Sequence, residues 1–143
     1  MRYFLRKVGV ADGEFLYRLK AACLKEYVSA IWGWDEANQR RRFSANFDPA
    51  GSRIVVAYGR DVGQLALEVA PGEIFLSGIY LLPAYQGQGL GSQILGDLLS
   101  EARQRRSPVR LRVLRGNPAR DLYGRLGFRV IDKTDTHYVM RSN

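Results

Sequence analysis

The sequence predicts one α+β domain over residues 1–143, with the element order β-α-α-β-β-β-α-β-α-β-β. The length of 143 residues fits a single ordinary domain. Hydrophobic residues make up 46% of the chain and charged residues 25%, which is typical of a globular protein. Short segments with strand-like alternation are interspersed with segments of helical period, and one helix lies between two strands as in a βαβ unit.

The first third of the chain predicts one strand followed by two helices. Residues 3–8 are predicted to form the strand, and Asp12 can cap a helix over about 14–28, where apolar residues recur at helical spacing. Asp35 is a candidate N-cap of the second helix, and the Asp-Pro pair at 48–49 ends it. The first helix is expected to pack one face on the sheet.

The middle of the chain predicts three antiparallel strands. Residues 53–58 and 64–70 are rich in β-branched or apolar side chains, and the segment GRDVG between them predicts a hairpin. The Pro-Gly pair at 71–72 suits the centre of a type II turn. A third strand over 73–82 is therefore expected to follow directly.

A helix and a strand come next. An apolar stripe that begins at Leu90 and includes Ile94, Leu98 and Ala102 predicts a helix, which the Ser-Pro pair at 107–108 ends. The alternating segment VRLRVL over 109–114 predicts a strand.

The C-terminal segment predicts a short helix and two strands. Asn117 followed by Pro118 predicts the start of a helix over about 118–126, and Gly127 fits the left-handed position after its last turn. The segments FRVI and HYVM are predicted to be the two closing strands. These strands could pair with a second subunit, so a homodimer is one expectation.

Composition and charge restrict the function. The net charge of +8 favours an anionic partner, which could be nucleic acid, an anionic surface or a phosphate-bearing small molecule. The basic residues are dispersed and match no nucleic-acid-binding motif, so nucleic acid is disfavoured. No apolar run can span a bilayer and no signal peptide is recognised, so no membrane partner and a cytoplasmic location are expected. A single cysteine and a single histidine make a metal site improbable.

The stretch LLPAYQGQGLGS, from Leu81 to Ser92, places three glycines between a predicted strand and a predicted helix. Gly87, Gly89 and Gly91 would let the chain adopt positive φ and bring backbone N–H groups close to a phosphate at a helix N-terminus. A tight turn without a ligand is the alternative. The residue pattern excludes a P-loop, because no Gly-Lys-Ser/Thr follows. The stretch also does not follow the first strand of a doubly wound sheet, which excludes the dinucleotide-binding turn of that fold.

Two motifs in this part of the chain resemble those of the GCN5-related N-acetyltransferases (GNAT). Gln86-Gly87-Gln88-Gly89-Leu90-Gly91 matches the Gln/Arg-x-x-Gly-x-Gly/Ala signature of that family, and the segment VLRGNPARDLYGRLGF is similar to its downstream pattern. The resemblance implies a mixed central sheet of about seven strands with helices on both faces. It also implies acetyl-CoA as co-substrate and transfer of the acetyl group to a primary amine by direct attack in a ternary complex.

The resemblance also assigns roles to residues. The pyrophosphate of the cofactor would rest on the backbone of the segment from Gln86 to Ser92. The backbone of Ile79, Tyr80 and Leu81 would bind the pantetheine arm and the acetyl carbonyl, and Asn117 would contact the arm as well. Tyr123 matches the tyrosine that in many family members protonates the departing thiolate, and a phenol with an ordinary pKa of about 10 can do so at neutral pH.

The general base is left open by the sequence. Family members often use a carboxylate on the strand before the phosphate-binding turn, but the centre of this strand has none. Glu68, Glu73, His137 or a water molecule remain as alternatives.

The acceptor also remains open. Trp32, Trp34, Asp35 and Glu36 are predicted either to line the acceptor cleft, as the resemblance implies, or to have structural roles as apolar anchors and a helix cap. A protein N-terminus, a lysine, a polyamine, an amino acid or an aminoglycoside would each fit as acceptor. The alternative function is a non-catalytic module that binds coenzyme A or RNA.

Overall fold

A computed structural model describes residues 2–143. These residues form seven strands and four α-helices, in the order that the sequence predicts. The strands are β1 (Tyr3–Lys7), β2 (Ser52–Ala57), β3 (Arg60–Ala70), β4 (Glu73–Leu81), β5 (Val109–Leu114), β6 (Arg129–Lys133) and β7 (His137–Arg141). The helices are α1 (Gly13–Trp32), α2 (Glu36–Asn46), α3 (Leu90–Gln104) and α4 (Ala119–Arg125). The strands form one mixed sheet in the order β1-β2-β3-β4-β5-β7-β6, which confirms the α+β fold.

The described chain divides into two compact units. The first comprises the chain up to Ala66 together with Ile79–Tyr85, and the second comprises Leu67–Gly78 together with Gln86–Asn143. Strands β3 and β4 therefore contribute residues to both. No helix within residues 2–143 combines the length and the apolar character needed to cross a bilayer.

The first unit contains an antiparallel meander covered by α1. Strand β1 pairs with β2 from Tyr3 opposite Ala57 to Lys7 opposite Arg53, and β2 pairs with β3. The apolar face of α1 packs on β2. Side chains three or four residues apart share one face of the helix, and side chains two residues apart share one face of the strand, so both elements contribute apolar side chains to the same core. The buried centre of this core consists of Leu16, Leu19, Ile54 and Val56.

The β2–β3 hairpin is tighter than the sequence predicts. The segment GRDVG was expected to connect the strands, but the turn consists of Tyr58 and Gly59, with φ of 56° and 72°. Two consecutive residues with positive φ form the type of two-residue turn whose twist matches that of antiparallel strands. Strand β3 therefore begins at Arg60, and a bulge at Val55 and Val56 absorbs the extra residue of the partner strand.

Helix α1 also differs from its prediction. It extends to Trp32, beyond the predicted end near residue 28, and stops where Gly33 adopts φ of 77° and donates its N–H to the Ser29 carbonyl at 3.0 Å. Asp12 precedes the helix but its side chain caps no helical N–H. That carboxylate instead accepts two hydrogen bonds from Arg6, both at 2.9 Å, so an ion pair takes the place of the predicted cap.

The second unit is built on a parallel strand pair. Ile74–Leu76 of β4 pairs with Val109–Leu111 of β5, and α3 is the crossover between the two strands. The predicted apolar stripe of α3 is confirmed, since it contributes six buried side chains: Leu90, Ile94, Leu95, Leu98, Leu99 and Ala102. Strand β5 continues in antiparallel pairing with β7, and β7 pairs with the edge strand β6.

Candidate active site

The glycine-rich turn lies in the second unit, directly before α3. Gly87 and Gly89 have φ of 73° and 87°, and Gly89 is the N-cap of the helix. A Cβ at either position would meet no atom within 4 Å, so the backbone conformation and not the space requires glycine there. Gly89 has no side chain with which to cap α3, and the first intrahelical hydrogen bond runs from the Gln93 N–H to the Gly89 carbonyl at 3.0 Å. The N-cap residue therefore does not make the bond to the first helical turn that a Ser, Thr, Asp or Asn there would make.

The prediction for Gly91 is wrong in one respect. Gly91 is the second residue of α3 and has helical backbone, so it does not adopt the positive φ expected of it. The left-handed residues end at Gly89 because the helix starts immediately after it. The residues from Gln86 to Gly89 are exposed, so a solute can reach their backbone.

Tyr123 lies in α4 with its ring in the core of the second unit. Its ring packs edge-to-face on Phe128, with 5.7 Å between the ring centroids, and the residue is only 8% exposed. Within residues 2–143 its hydroxyl has no hydrogen-bond partner, and no side-chain oxygen in that range is both buried and unpaired, so the hydroxyl reaches solvent. Burial raises the pKa of Tyr123 to about 12. The phenol is therefore protonated at neutral pH and can donate that proton.

Asn117 joins the end of β5 to the start of α4. Its side-chain oxygen accepts a hydrogen bond from the N–H of Ala119, the first residue of α4, at 3.0 Å, but the N-cap is Pro118, so the helix begins one residue later than predicted. Its backbone N–H donates to the Leu114 carbonyl at 3.1 Å. The bond from Ala119 uses the oxygen of the amide, so the NH₂ group is left as a donor for a ligand.

The carboxyl end of β4, in the first unit, is held in place by neighbours on two sides. The Cys23 thiol of α1 donates to the Leu81 carbonyl at 3.2 Å, and the Leu82 N–H donates to the Val62 carbonyl at 2.8 Å. A Cβ on Gly63 would lie 2.7 Å from Leu81 Cδ2 and still closer to the Tyr80 carbonyl oxygen, so only glycine fits on β3 there. Ile79, Tyr80 and Leu81 are each half-buried.

The candidate bases lie at different ends of the second unit. Glu73, at the start of β4, forms an ion pair with Arg110 at 3.2 Å, near the start of β5. His137 lies opposite Leu114, the last residue of β5, and its Nδ1 is 2.8 Å from the Thr136 hydroxyl. Burial and the charge of Arg112 lower the pKa of His137, so its imidazole is neutral at pH 7. Glu68 is exposed near the end of β3.

The charged side chains between α1 and α2 form hydrogen bonds within the protein. Asp35 accepts the Asn38 N–H at 3.1 Å, which confirms the predicted N-cap. The Glu36 carboxylate accepts hydrogen bonds from Trp34 Nε1 at 2.8 Å and from the Tyr17 hydroxyl at 2.9 Å. These two bonds are the main causes that lower the pKa of Glu36. Trp32 is 59% exposed, so it is not the core anchor that the structural interpretation required.

A pocket of about 630 Å³ opens in the first unit beside the start of α1. Its walls include Tyr17, Phe43 and Phe47, and its charged groups are Glu14 and Arg40. Hydrogen bonds from Arg40 and Arg18 lower the pKa of Glu14 to about 2. The pocket therefore offers no unpaired acid or base. In the sequence, Glu14 and Arg40 each belong to a Glu–Arg pair at i,i+4 spacing, and this pattern predicts helix-stabilising ion pairs but no pocket.

Comparison with known proteins relates this arrangement to one family. Residues 50–130 match the family model described as an acetyltransferase (GNAT) domain. Over 78 residues the chain is 32% identical to the [ribosomal protein bS18]-alanine N-acetyltransferase of Haemophilus influenzae, a match that covers 54% of this chain and 53% of that protein. The alignment thus spans about half the length of this curated relative.

Two solved structures share the fold at low sequence identity. The PaiA N-acetyltransferase of Thermoplasma acidophilum in complex with coenzyme A has a TM-score of 0.75 at 20% identity, covering 100% of this chain and 99% of that one. Arabidopsis thaliana Naa50 in complex with the bisubstrate analogue CoA-Ac-MVNAL has a TM-score of 0.66 at 16% identity, covering 100% and 99%.

Proposed function

Because the chain belongs to the GNAT acetyltransferase family, we propose that it transfers the acetyl group of acetyl-CoA to a primary amine by direct attack in a ternary complex. The observation that carries this proposal is the turn at Gly87 and Gly89, which leads with two left-handed glycines into the start of α3. Backbone N–H groups at the start of a helix and the positive end of the helix dipole form a binding site for a diphosphate.

The residues present fit the phosphate end of the cofactor. The turn is exposed and the first turn of α3 contains no acidic side chain, so nothing repels an anion there. In this proposal the backbone from Gln86 to Ser92 binds the pyrophosphate. The net charge of +8 further favours a ligand that carries several phosphate charges.

The pantetheine arm is proposed to bind the backbone of Ile79, Tyr80 and Leu81, and the amide of Asn117. Support for the first part is the fixed position of the end of β4, which Cys23 and Gly63 constrain. Support for the second part is the unused NH₂ group of Asn117. The family resemblance identifies the ligand, and these contacts give the binding segment the rigidity that it needs.

Tyr123 is proposed as the general acid. As the amine nitrogen forms a bond to the acetyl carbon, the C–S bond breaks and its electron pair leaves with the sulfur. The Tyr123 hydroxyl would transfer its proton to this thiolate, and the resulting phenolate would recover a proton, through water, from the nitrogen, which loses one as it becomes the amide. A ring held by Phe128, with a hydroxyl oxygen that is not completely buried, has the fixed position and the access that this step needs.

The attacking ammonium must first lose a proton, and the geometry favours His137 over Glu73 as its acceptor. Parallel strands place their starts together, so Glu73 and its partner Arg110 lie at the end of the pair opposite to Asn117 and Tyr123. A strand of six residues such as β5 spans about 17 Å between its ends. His137 lies at the carboxyl end of β5, where a neutral imidazole can accept a proton directly or through water.

The acceptor is proposed to be the amine of a protein or peptide. The curated relative acts on an alanine of a ribosomal protein, and the bisubstrate analogue bound to Naa50 contains a peptide. The cytoplasmic location and the homodimer remain predictions.

Isothermal titration with acetyl-CoA tests the cofactor, and release of free thiol in the presence of a panel of peptides tests the transfer. We expect micromolar binding and peptide-dependent thiol release. If acetyl-CoA does not bind but a short RNA duplex binds in a salt-sensitive manner, the function is the RNA-binding alternative. If acetyl-CoA binds but no amine releases thiol, the chain is a binding module.

A further inference from the structure

Two arginines contact one tyrosine ring at the carboxyl end of β5. The guanidinium carbon of Arg120 lies 4.1 Å from the centroid of the Tyr138 ring, and that of Arg115 lies 5.1 Å from it. The two guanidinium groups are therefore no farther apart than the sum of these distances. Each interacts favourably with the ring, but the two positive charges repel each other.

No carboxylate compensates this pair within residues 2–143. Neither Arg115 nor Arg120 forms an ion pair, although other arginines of the chain, such as Arg6, Arg40 and Arg110, do. Asp121 is the acid nearest to Arg120 in sequence and Asp135 the acid nearest to Tyr138, and neither forms an ion pair with either arginine. Both arginines are exposed, whereas Tyr138 is half-buried, so the ring is fixed and the guanidinium N–H groups are available to a ligand.

Three connections fix the position of the pair. Arg115 follows the last residue of β5, and its N–H donates to the Thr136 carbonyl at 2.9 Å. Tyr138 lies opposite Val113 in the neighbouring strand. Arg120 precedes Tyr123 by three residues in α4, a spacing that places their Cβ atoms about 5–6 Å apart. Arg120 therefore lies within one helical turn of the tyrosine proposed as the acid, and Arg115 is linked to Arg120 through the Tyr138 ring.

This position separates the pair from the phosphates of the cofactor. If Tyr123 protonates the sulfur, the pair lies at the thioester end of the cofactor, whereas the pyrophosphate lies at the glycine turn. The pantetheine arm keeps these two ends of the molecule apart. An anion bound by Arg115 and Arg120 would then belong to the molecule that approaches the thioester, which is the acceptor.

We propose that Arg115 and Arg120, held by Tyr138, bind a carboxylate of the acceptor close to its reacting amine. The acceptor class is thus an acidic one: a peptide with Asp or Glu next to its N-terminal residue, or a small amino acid with a second carboxylate. Arginine forms paired hydrogen bonds with a carboxylate, which positions the ligand as well as attracting it. The inference rests on the proposed acetyltransferase function.

The test compares two hexapeptides that differ only at the second residue, Glu or Gln, and uses free glutamate as a third acceptor. For the wild-type protein at low salt we expect kcat/KM for the Glu peptide to exceed that for the Gln peptide by about tenfold. The double variant Arg115→Gln/Arg120→Gln should acetylate both peptides at the rate of the Gln peptide. Arg125→Gln is the control for the loss of one such charge, because it replaces an exposed arginine of the same helix as Arg120 and should retain the preference.

The outcomes separate the inference from the proposed function. Equal kcat/KM for the two peptides with the wild-type protein, while thiol is released, overturns the acidic acceptor and leaves the acetyltransferase intact. A higher rate with free glutamate than with the Glu peptide supports the carboxylate site and identifies a small-molecule acceptor. If acetyl-CoA does not bind, the proposed function fails, and titration of the protein with the two peptides still decides on the site: a preference for Glu that the double variant loses supports it, and equal binding overturns it.

Discussion

Two replacements of Gly89, by alanine and by glutamate, test the two properties that the proposed phosphate-binding turn requires: a left-handed backbone and the absence of negative charge. An alanine at φ of 87° adopts the left-handed region at a cost of about 1–2 kcal/mol, and the stiffer unfolded chain offsets about 0.5 kcal/mol of this. The Ala Cβ meets no atom within 4 Å, so no steric clash adds to this strain in the unliganded protein. For a chain of 143 residues a loss of 1 kcal/mol lowers Tm by about 4 °C.

Gly89→Glu adds a charge to the same strain. A carboxylate about 6 Å from one phosphate charge costs about 0.7 kcal/mol in water and about 3 kcal/mol at an effective dielectric constant of 20. Two phosphate charges double these values, so the affinity for acetyl-CoA should fall by at least about tenfold. At the lower dielectric constant the calculated repulsion is large enough to abolish measurable binding.

The assay is isothermal titration with acetyl-CoA, with Tm measured for each variant. Gly96→Ala is the control for glycine replacement in α3, since Gly96 has helical φ and its Cβ would also meet nothing within 4 Å. It should raise the stability of the helix by about 0.5–1 kcal/mol and leave the affinity unchanged. Ser100→Glu, at an exposed position of α3, controls for the added charge. Wild-type affinity in Gly89→Glu would refute the assignment of the turn.

Three further changes test other parts of the structure. Tyr123→Phe should leave the affinity for acetyl-CoA unchanged and lower kcat by about 10²-fold, and equal kcat would remove Tyr123 from the mechanism. Because the pKa of Tyr123 is raised to about 12, ionisation of this phenol should cause no loss of wild-type activity below that pH. Gly63→Ala should destabilise the fold by about 1–3 kcal/mol, seen as a lower Tm, because the new Cβ meets the backbone of β4; an unchanged Tm contradicts the close approach. Asp12→Asn should lower the free energy of unfolding by about 2 kcal/mol at pH 6, because hydrogen bonds from Arg6 lower the pKa of Asp12 from 3.8 to about 2. The difference should decrease as the pH falls below about 4, be small at pH 2 and vanish below it. A difference that is still about 2 kcal/mol at pH 2 contradicts an electrostatic origin.

The elements that the sequence predicts well depend on local signals. The stripe that begins at Leu90 buries six side chains of α3, and a period of 3.6 residues is visible in any window of that length. Asp35 caps α2, because a capping side chain bonds to an N–H two or three residues later, and Asn117 accepts the N–H of Ala119 at the start of α4 in a similar local bond. Gly87 and Gly89 adopt positive φ at a junction of strand and helix, where few other residues could.

The elements that it predicts poorly depend on contacts between distant residues. Asp12 has the position of a helix cap, but Arg6 and Asp61 form an ion-pair network with it, and that competition cannot be seen in the sequence around residue 12. The hairpin turn at Tyr58 contains a non-glycine residue with positive φ, which no local pattern indicates. Gly91 resembles the glycines before it, and only the start of the helix at Leu90 gives it a different backbone conformation.

The candidate site shows the same division. Its glycine turn and Tyr123 follow from motifs that are continuous in sequence. The arginine pair does not, because the sheet pairing of β5 with β7 brings Tyr138 to Arg115 across more than twenty residues. Sequence alone describes these arginines only as part of a dispersed excess of positive charge.

The lack of a carboxylate in the centre of β4 and the absence of an ion pair at Arg115 and Arg120 support the same view of the reaction. A carboxylate base at the carboxyl end of β5 would form an ion pair with Arg115 or Arg120 and would no longer be available to an ammonium. A neutral His137 avoids this conflict, because it can accept a proton beside the arginines without neutralising them. The arginines in turn disfavour a protonated imidazole, as Arg112 already does, so the proton would pass on to water. A site built in this way combines an uncharged base with attraction for an anionic acceptor.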